Sequence, residues 1–226
     1  MNNENEKKLA AMEAVKSIRS GMTVGLGSGS TAAYMIEELG KKVSEGLKIQ
    51  GVPSSKTTER MAREAGIPII ELHKAGILDI NIDGADEFDP YMQLIKGGGG
   101  ALLREKIVAF NSKCNVIIAD SGKQVVRLGK FKLPIETIPF ATENIIGLLE
   151  KDGLKPRLRK ADNNIYITDE NNYIVDLDIL GFTNLVKLEE KLLKIPGIVE
   201  TGLFLETTHR IIIGQGNSTR TIERQV

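Results

Sequence analysis

Apolar and small residues at Leu9, Met12, Ala14, Val15 and Ile18 recur at helical spacing, and Gly21 stands where such a helix would stop. The next run, MTVGLGSGSTAAYMIEELGKKV, predicts a short buried strand, a glycine loop and a helix from Thr31 to Val43 that ends near Gly46. LKIQGVPSS and IPIIELH read as further short strands, separated by the helical pattern of SKTTERMAREAG. ILDINIDGADEF adds a strand that runs into carboxylates, and CNVIIADSGK one that runs into a polar turn. Strands alternating with helices imply a parallel sheet covered on both faces, so the expected fold class is α/β. Ligands of such sheets sit beyond the carboxyl ends of the strands, where GSGST, DGADE and the glycine run that follows all fall.

At about Lys130 the pattern changes. KLPIETIPFATENIIGLLEKDG predicts a strand and then a helix, and KPRLRKADNNIYIT with NNYIVDLDI predicts a hairpin joined through an Asn/Asp-rich connection. A helix follows from Asn184 to Leu193, and GIVETGLFL and HRIIIGQG are two closing strands. This region reads as a smaller α+β domain, helices packed on an antiparallel sheet. No repeat period appears, and the tail-like segments are the first few residues and the polar STRTIERQV.

Composition narrows the partner. In 226 residues, 30 Lys and Arg cancel 30 Asp and Glu, so no global field draws the chain to nucleic acid or to an anionic membrane. A small molecule fits better. The single Cys114 cannot form an intrachain disulfide, and the N-terminal MNNENEKKLA has neither the apolar core nor the cleavage pattern of a signal peptide, which together predict a reducing cytoplasm. No apolar run approaches the roughly 18 to 20 residues of a membrane helix.

The densest chemistry lies in KGGGGALLREK, Lys96 to Lys106. Four consecutive glycines are costly to order, so their presence points to close backbone approach by a ligand. Glu105 sits about one turn into the helix that the glycines open. Alone it reads as a solvated helix glutamate. Lys96 at the loop entrance changes that reading, because a base that removes a carbon-bound proton needs a positive group to stabilise the resulting enediolate.

Gly25, Gly27 and Gly29 in VGLGSGST lie between a strand and a helix, where unpaired amides and the helix dipole favour an anion, and Ser28, Ser30 and Thr31 add hydroxyls. A dinucleotide fingerprint would need glycine at Ser30 and an acidic end to the second strand, and a P-loop would need a Gly-Lys pair before Ser or Thr; neither is present. The phosphate of a sugar is the natural anion, with Lys7, Lys8, Lys96 and Lys123 as candidate cations. DINIDGADEFDP matches the first half of a calcium loop, but its twelfth position is Pro90, and Ile80 and Ile82 alternate as on a strand. Asp83 and Asp86 read instead as carboxylates at a strand end that can bind sugar hydroxyls or relay their protons, and Asp89 as a turn residue bonding local backbone. His73, His209 and Cys114 show no metal-ligand spacing, and no metal is expected.

Taken in order, GLGSGSTAAYMIEEL, DGADEFD, KGGGGALLREKIVA, DSGKQV and TGLFL resemble the ribose-5-phosphate isomerase A family over essentially the whole chain. The resemblance implies interconversion of ribose 5-phosphate and ribulose 5-phosphate in the non-oxidative pentose phosphate pathway, through a cis-enediolate and with no metal or organic cofactor. It makes Glu105 the base, with Asp83 and Asp86 assisting ring opening and hydroxyl proton transfer and Lys96 stabilising the oxyanion. Ser28, Gly29, Ser30 and Thr31 would hold the phosphate end beside Lys7 and Lys123, while Asp83, Gly84, Ala85, Asp86, Lys96, Gly97, Gly98 and Gly99 would line the reacting end. Ser28 stands where some relatives carry threonine, which keeps the hydroxyl. The implied architecture is a Rossmann-like domain of residues 1–130 plus 206–226 with a ferredoxin-like domain inserted at 131–205, assembled as a homodimer or homotetramer through the small domain. Two other readings compete. One is a sugar-phosphate sensor that binds without turnover, which would need neither Lys96 nor Glu105; the other is an isomerase of another phosphosugar, for which a histidine near the glycine loops would be expected.

Overall fold

The computed structural model describes residues 3–224. In chain order its elements are α1 (Asn3–Val15), β1 (Thr23–Leu26), α2 (Ser30–Ser44), β2 (Gln50–Pro53), α3 (Lys56–Glu64), the single-turn α4 (Leu72–Ala75), β3 (Ile80–Gly84), β4 (Glu87–Phe88), β5 (Leu94–Ile95), α5 (Leu102–Phe110) and β6 (Asn115–Asp120). They continue with β7 (Leu133–Thr137), α6 (Thr142–Lys151), β8 (Arg157–Leu158), β9 (Lys160–Ala161), β10 (Asn164–Ile165), β11 (Tyr173–Leu177), α7 (Leu185–Leu193), β12 (Ile198–Thr201), β13 (Leu203–Phe204), β14 (Arg210–Gln215) and β15 (Ser218–Glu223). The chain divides into two compact units, the first comprising Met1–Ala85, Arg104–Gln124 and Glu206–Val226, the second Asp86–Leu103 and Val125–Leu205.

The first unit is built on a six-stranded sheet of order β15-β14-β6-β3-β1-β2. Its pairs are parallel except β14 with β15. Strand side chains alternate between faces, so Val24, Leu26, Ile80, Ile82, Val116, Ile118 and Ile212 share one face, where they bury against Ala10, Ala11 and Ala14 of α1 and Met35, Ile36 and Leu39 of α2. On the opposite face Val108 of α5 packs with Val52 and Leu78. Burial on both faces explains why β6 is buried at every position and is apolar from Val116 to Ala119. The strand order reverses between β2 and β3 about β1, which makes the carboxyl ends of β1 and β3 the switch point of this sheet.

The second unit holds an antiparallel sheet of order β12-β7-β11-β8 and a three-stranded one of order β13-β5-β4. Ile145 and Leu149 of α6 and Leu188 and Leu192 of α7 bury with Leu133, Ile135, Val175 and Leu177. Asn184 caps α7, its side chain accepting from the Lys187 N–H at 2.9 Å.

Three expectations change in detail. IPIIELH forms no strand: only the bridge from Gly51 to Ile69 survives, because Pro68 has no N–H for a ladder and the chain turns into α4 at once. STRTIERQV is no tail through its described part. Ser218–Glu223 pairs with β14 as an edge strand across a two-residue turn with Gly216 at φ 61°, and an exposed edge tolerates polar residues. Residues 86–103 and 125–130, expected in the first domain, group with the second unit. There the buried Glu87 carboxylate accepts the N–H groups of Gly129 and Phe131 at 2.9 and 2.6 Å, and the Val125 N–H donates to the Phe88 carbonyl.

Candidate active site

In the first unit the candidate residues gather at the carboxyl ends of β1 and β3. Gly27 follows β1, and a Cβ there would lie 2.2 Å from Asp83 Oδ1 and 2.4 Å from Asp83 Cα. Only a bare α-carbon lets the buried Asp83 side chain lie against the loop. Asp83 Oδ1 then accepts the Ser28 N–H at 2.9 Å and the Gly84 N–H at 2.8 Å, which ties the β1–α2 loop to the end of β3. Gly29 at φ 94° turns the chain into α2, a 15-residue helix without a side-chain cap. Its first amides therefore keep their capacity to bind an anion.

Cations and hydroxyls surround that helix start. Lys7 Nζ donates to Ser30 Oγ at 3.1 Å, whereas Lys8 is exposed. Thr31 is buried in the first turn of α2. Ser28 Oγ lies 2.8 Å from Ser54 Oγ, 2.9 Å from Ser55 Oγ and 3.0 Å from Thr58 Oγ1, and Thr58 Oγ1 donates to the Gly27 carbonyl at 2.9 Å. Lys123 ends the short 3-10 turn after β6, at the same end of the sheet. That turn is tied to α1 by the buried Glu6, whose carboxylate accepts the N–H and hydroxyl of Ser121 at 2.9 and 2.7 Å and the Gly216 N–H at 2.9 Å. These donors, the Gly216 amide first, hold the Glu6 carboxyl below the usual carboxylate range.

Glu105 is the fourth residue of α5, in its first turn, and is only 5% exposed. It is not the solvated helix glutamate of its local sequence. A carboxylate in a first helical turn is favoured by the helix dipole, and burial shields it from water.

The second unit contains Asp86 and the glycine run. Asp86 Oδ2 accepts the Gly98 N–H at 2.7 Å. Lys96 is buried at 3% exposure, its ammonium 5.5 Å from the centre of the Phe204 ring and its own N–H donating to the Gly202 carbonyl. Gly98 and Gly99 are exposed, so their backbone is open to a ligand. Asp89, the expected turn residue, accepts the N–H groups of Tyr91 and Gln93, both at 2.9 Å.

Each unit thus assembles its own share of the candidates: Lys7, Ser28 to Thr31, Asp83, Gly84, Ala85, Glu105 and Lys123 in the first, Asp86 and Lys96 to Gly99 in the second. The histidines stand apart. His209 Nδ1 accepts the Asn115 N–H at 3.0 Å, and His73 is exposed beside Glu71. Two groups of residues escaped the sequence reading. Ser54, Ser55 and Thr58 buttress Ser28, and their only sequence signal is the hydroxyl-rich SSKTT after β2. Arg159 and Tyr166 touch the glycine run from a hairpin some 60 residues away in sequence, with no local signal at all.

A model of the ribose 5-phosphate isomerase A (phosphoriboisomerase A) family matches residues 50–218. The chain belongs to the ribose-5-phosphate isomerase A family. It is 48% identical to the ribose-5-phosphate isomerase A of Ruegeria pomeroyi over 93% of this chain and 84% of that one, and 44% identical to that of Picrophilus torridus over 97% and 98%. Among solved structures, a D-ribose-5-phosphate isomerase in complex with phospho-erythronic acid superposes with a TM-score of 0.95 at 39% identity, covering 99% of this chain and 100% of that one. The ribose 5-phosphate isomerase of Plasmodium falciparum gives 0.95 at 37%, with the same coverage. The α/β fold with a mostly parallel central sheet is therefore the architecture of this isomerase family.

Proposed function

We infer that the chain is an aldose-ketose isomerase that interconverts D-ribose 5-phosphate and D-ribulose 5-phosphate, acting in the pentose phosphate pathway. Membership of the isomerase family supports the reaction, and the observation that carries the chemistry is Glu105, a carboxylate buried in the first turn of the helix opened by the glycine run. In the open-chain aldose Glu105 removes the C2 proton, and the electron pair moves through C1=C2 onto the former carbonyl oxygen to give a cis-enediolate. The same carboxyl returns the proton to C1 as O2 becomes the ketone. A general base in position contributes about 10²- to 10⁴-fold. The rest of the barrier calls for electrostatic stabilisation of the enediolate oxygens, which falls to Lys96 with the Gly99 amide, Gly97 and Gly98 lining the same end. Asp83 and Asp86 assist ring opening and carry hydroxyl protons, Gly84 and Ala85 shape the same end, and Ser28, Gly29, Ser30 and Thr31 bind the phosphate with Lys7 and Lys123. Phospho-erythronic acid, bound by a relative with 39% identity, joins a phosphate to a planar carboxylate, the charge pattern these roles require.

The second unit's antiparallel sheet with two helices supports reading it as the ferredoxin-like domain and the first unit as the Rossmann-like one, and we assign the small domain to assembly of a homodimer or homotetramer. Among the described residues no helix is long and apolar enough to cross a membrane. With the balanced charge this supports action in the cytoplasm on a small phosphosugar, without nucleic-acid or membrane partners.

The test is ketose formation from ribose 5-phosphate by the purified protein, with and without a strong chelator. Chelator-resistant turnover is expected. Saturable binding without turnover would replace the isomerase by a sensor, and loss of turnover to the chelator would overturn the metal-free mechanism.

A further inference from the structure

The glycine run poses a physical problem that its own sequence does not solve. Each glycine gives up about 1–2 kcal/mol or more of backbone entropy when it is ordered, and a loop that samples many conformations cannot aim its amides at a developing charge. Within the second unit the carbonyls of the run are held from a single hairpin. Arg159 Nη1 donates to the Gly97 carbonyl at 2.7 Å and to the Gly98 carbonyl at 3.1 Å. The Tyr166 hydroxyl donates to the Gly99 carbonyl at 2.9 Å. The two residues lie just before β9 and just after β10, whose turn has Asp162 and Asn163 both at positive φ, and the Tyr166 N–H closes the hairpin on the Arg159 carbonyl at 3.0 Å. Asp176 pairs with the other edge of the Arg159 guanidinium, which also lies 6.0 Å from the centre of the Tyr166 ring. A Cβ on Gly100 would fall 2.3–2.5 Å from the Tyr166 ring and hydroxyl, so the fourth glycine is what lets the phenol reach the loop.

We propose that Arg159 and Tyr166 are positioning residues of the isomerase reaction, a clamp that fixes the carbonyls of Gly97, Gly98 and Gly99 and thereby aims the Gly99 amide at the oxyanion. In a trans peptide C=O and N–H point in opposite directions, so each carbonyl held fixes the direction of the N–H in its own peptide, those of Gly98, Gly99 and Gly100. Asp86 takes the first, and the Gly97 carbonyl takes the third at 2.9 Å. The Gly99 N–H is left as the amide presented by an exposed residue, fixed in direction by the charged donor on the carbonyl of its own peptide. Arg159 suits this task better than lysine, because one rigid fork serves a carboxylate and two carbonyls at once. Burial pushes the Tyr166 phenol up, which keeps it a hydroxyl donor through the working range.

The inference rests on the isomerase reading, and its test separates the two. Tyr166→Phe removes one neutral hydrogen bond and should lower kcat about 2- to 13-fold, and Arg159→Met removes two charge-assisted ones and should lower it at least about 10-fold, with KM nearly unchanged in both. Arg159→Lys should recover part of the loss. Because Arg159→Met leaves Asp176 without its partner, Arg159→Met with Asp176→Asn is run beside it, and Tyr166→Phe serves as the variant that keeps the fold. A purely structural role would move the melting temperature and leave the transition-state term alone. The discriminating readout is therefore calorimetric affinity for phospho-erythronic acid, which should fall in proportion to kcat across the series. Wild-type affinity and kcat in Tyr166→Phe and in the double variant would overturn the clamp while leaving the isomerase standing. Absence of turnover in the unmodified protein would overturn the isomerase, and the calorimetric series would still decide the clamp.

Discussion

Gly27→Ala and Gly84→Ala together form the sharpest stability experiment in the first unit. Both glycines sit at the switch point beside Asp83, yet only one is there for close approach. A Cβ on Gly27 would meet Asp83 Oδ1 at 2.2 Å and its Cα and Cγ at 2.4 Å, so Asp83 or the loop must retreat by about 1 Å to reach ordinary contact. That retreat breaks the bonds from the Ser28 and Gly84 amides to Asp83 Oδ1, each worth about 1.5–3 kcal/mol as a charge-assisted pair. Forced overpacking adds about 1–3 kcal/mol, so a total loss of about 4–9 kcal/mol is expected. For a chain of this size it would lower the melting temperature by on the order of 10–35 °C. A Cβ on Gly84 meets only the Ser28 carbonyl at 3.7 Å and the Ile118 carbonyl at 4.0 Å, so Gly84→Ala should stay within about 0.5–1 kcal/mol of the parent. Urea and thermal unfolding followed by circular dichroism measure both. Equal stabilities for the two variants, in either direction, would refute the close-approach argument.

Other outcomes follow from the same geometry. Glu6→Ala leaves three donors from Ser121 and Gly216 without their acceptor and should cost about 2–4 kcal/mol in chemical unfolding. Since the folded Glu6 carboxyl titrates below its ordinary value of 4.5, its stabilisation is complete above that pH and is lost as pH falls through the lower folded value; Glu6→Gln should lack this part of the acid-unfolding curve. Thr58→Val removes the hydroxyl that supports Ser28 Oγ and the Gly27 carbonyl, and should cost about 1–2 kcal/mol while raising KM for the sugar phosphate more than it lowers kcat. Burial pushes the Cys114 thiol up, so alkylation by iodoacetamide at neutral pH should run well below the rate of a free thiol, and a rate equal to a free thiol's would contradict its burial.

What could be read from the sequence was whatever local pattern controls. Short apolar stretches marked β1 and β6, the alternation of Ile80 and Ile82 marked β3, and the glycine loop marked the start of α2, because a parallel sheet covered on both faces buries most of its strand positions. The helix expected from Asn184 to Leu193 is α7, with Asn184 as its cap. The edge strand β15 was hidden because one face and one edge of it meet water, so nothing demands apolar residues there. The site divides along the same line. Lys96, Glu105 and Asp83 stood out through their neighbours in sequence, but the burial of Glu105 follows from where α5 packs, and no spacing encodes it. Ser54, Ser55 and Thr58 are brought to Ser28 by β2 lying beside β1, and Arg159 and Tyr166 reach the glycine run from about 60 residues away. Long-range partners of this kind exist only once the sheets have formed.

The most direct test of the central claim is the turnover of ribose 5-phosphate by Glu105→Gln, measured beside calorimetric binding of phospho-erythronic acid and the exchange of the substrate C–H hydrogen in deuterated water. The substitution keeps shape and removes only the base. Binding within a few-fold of the parent, with turnover and C–H exchange both reduced by at least about 10²-fold, is the predicted result. Near-normal turnover with normal exchange would show that Glu105 does not carry the proton, and would contradict the mechanism at its core.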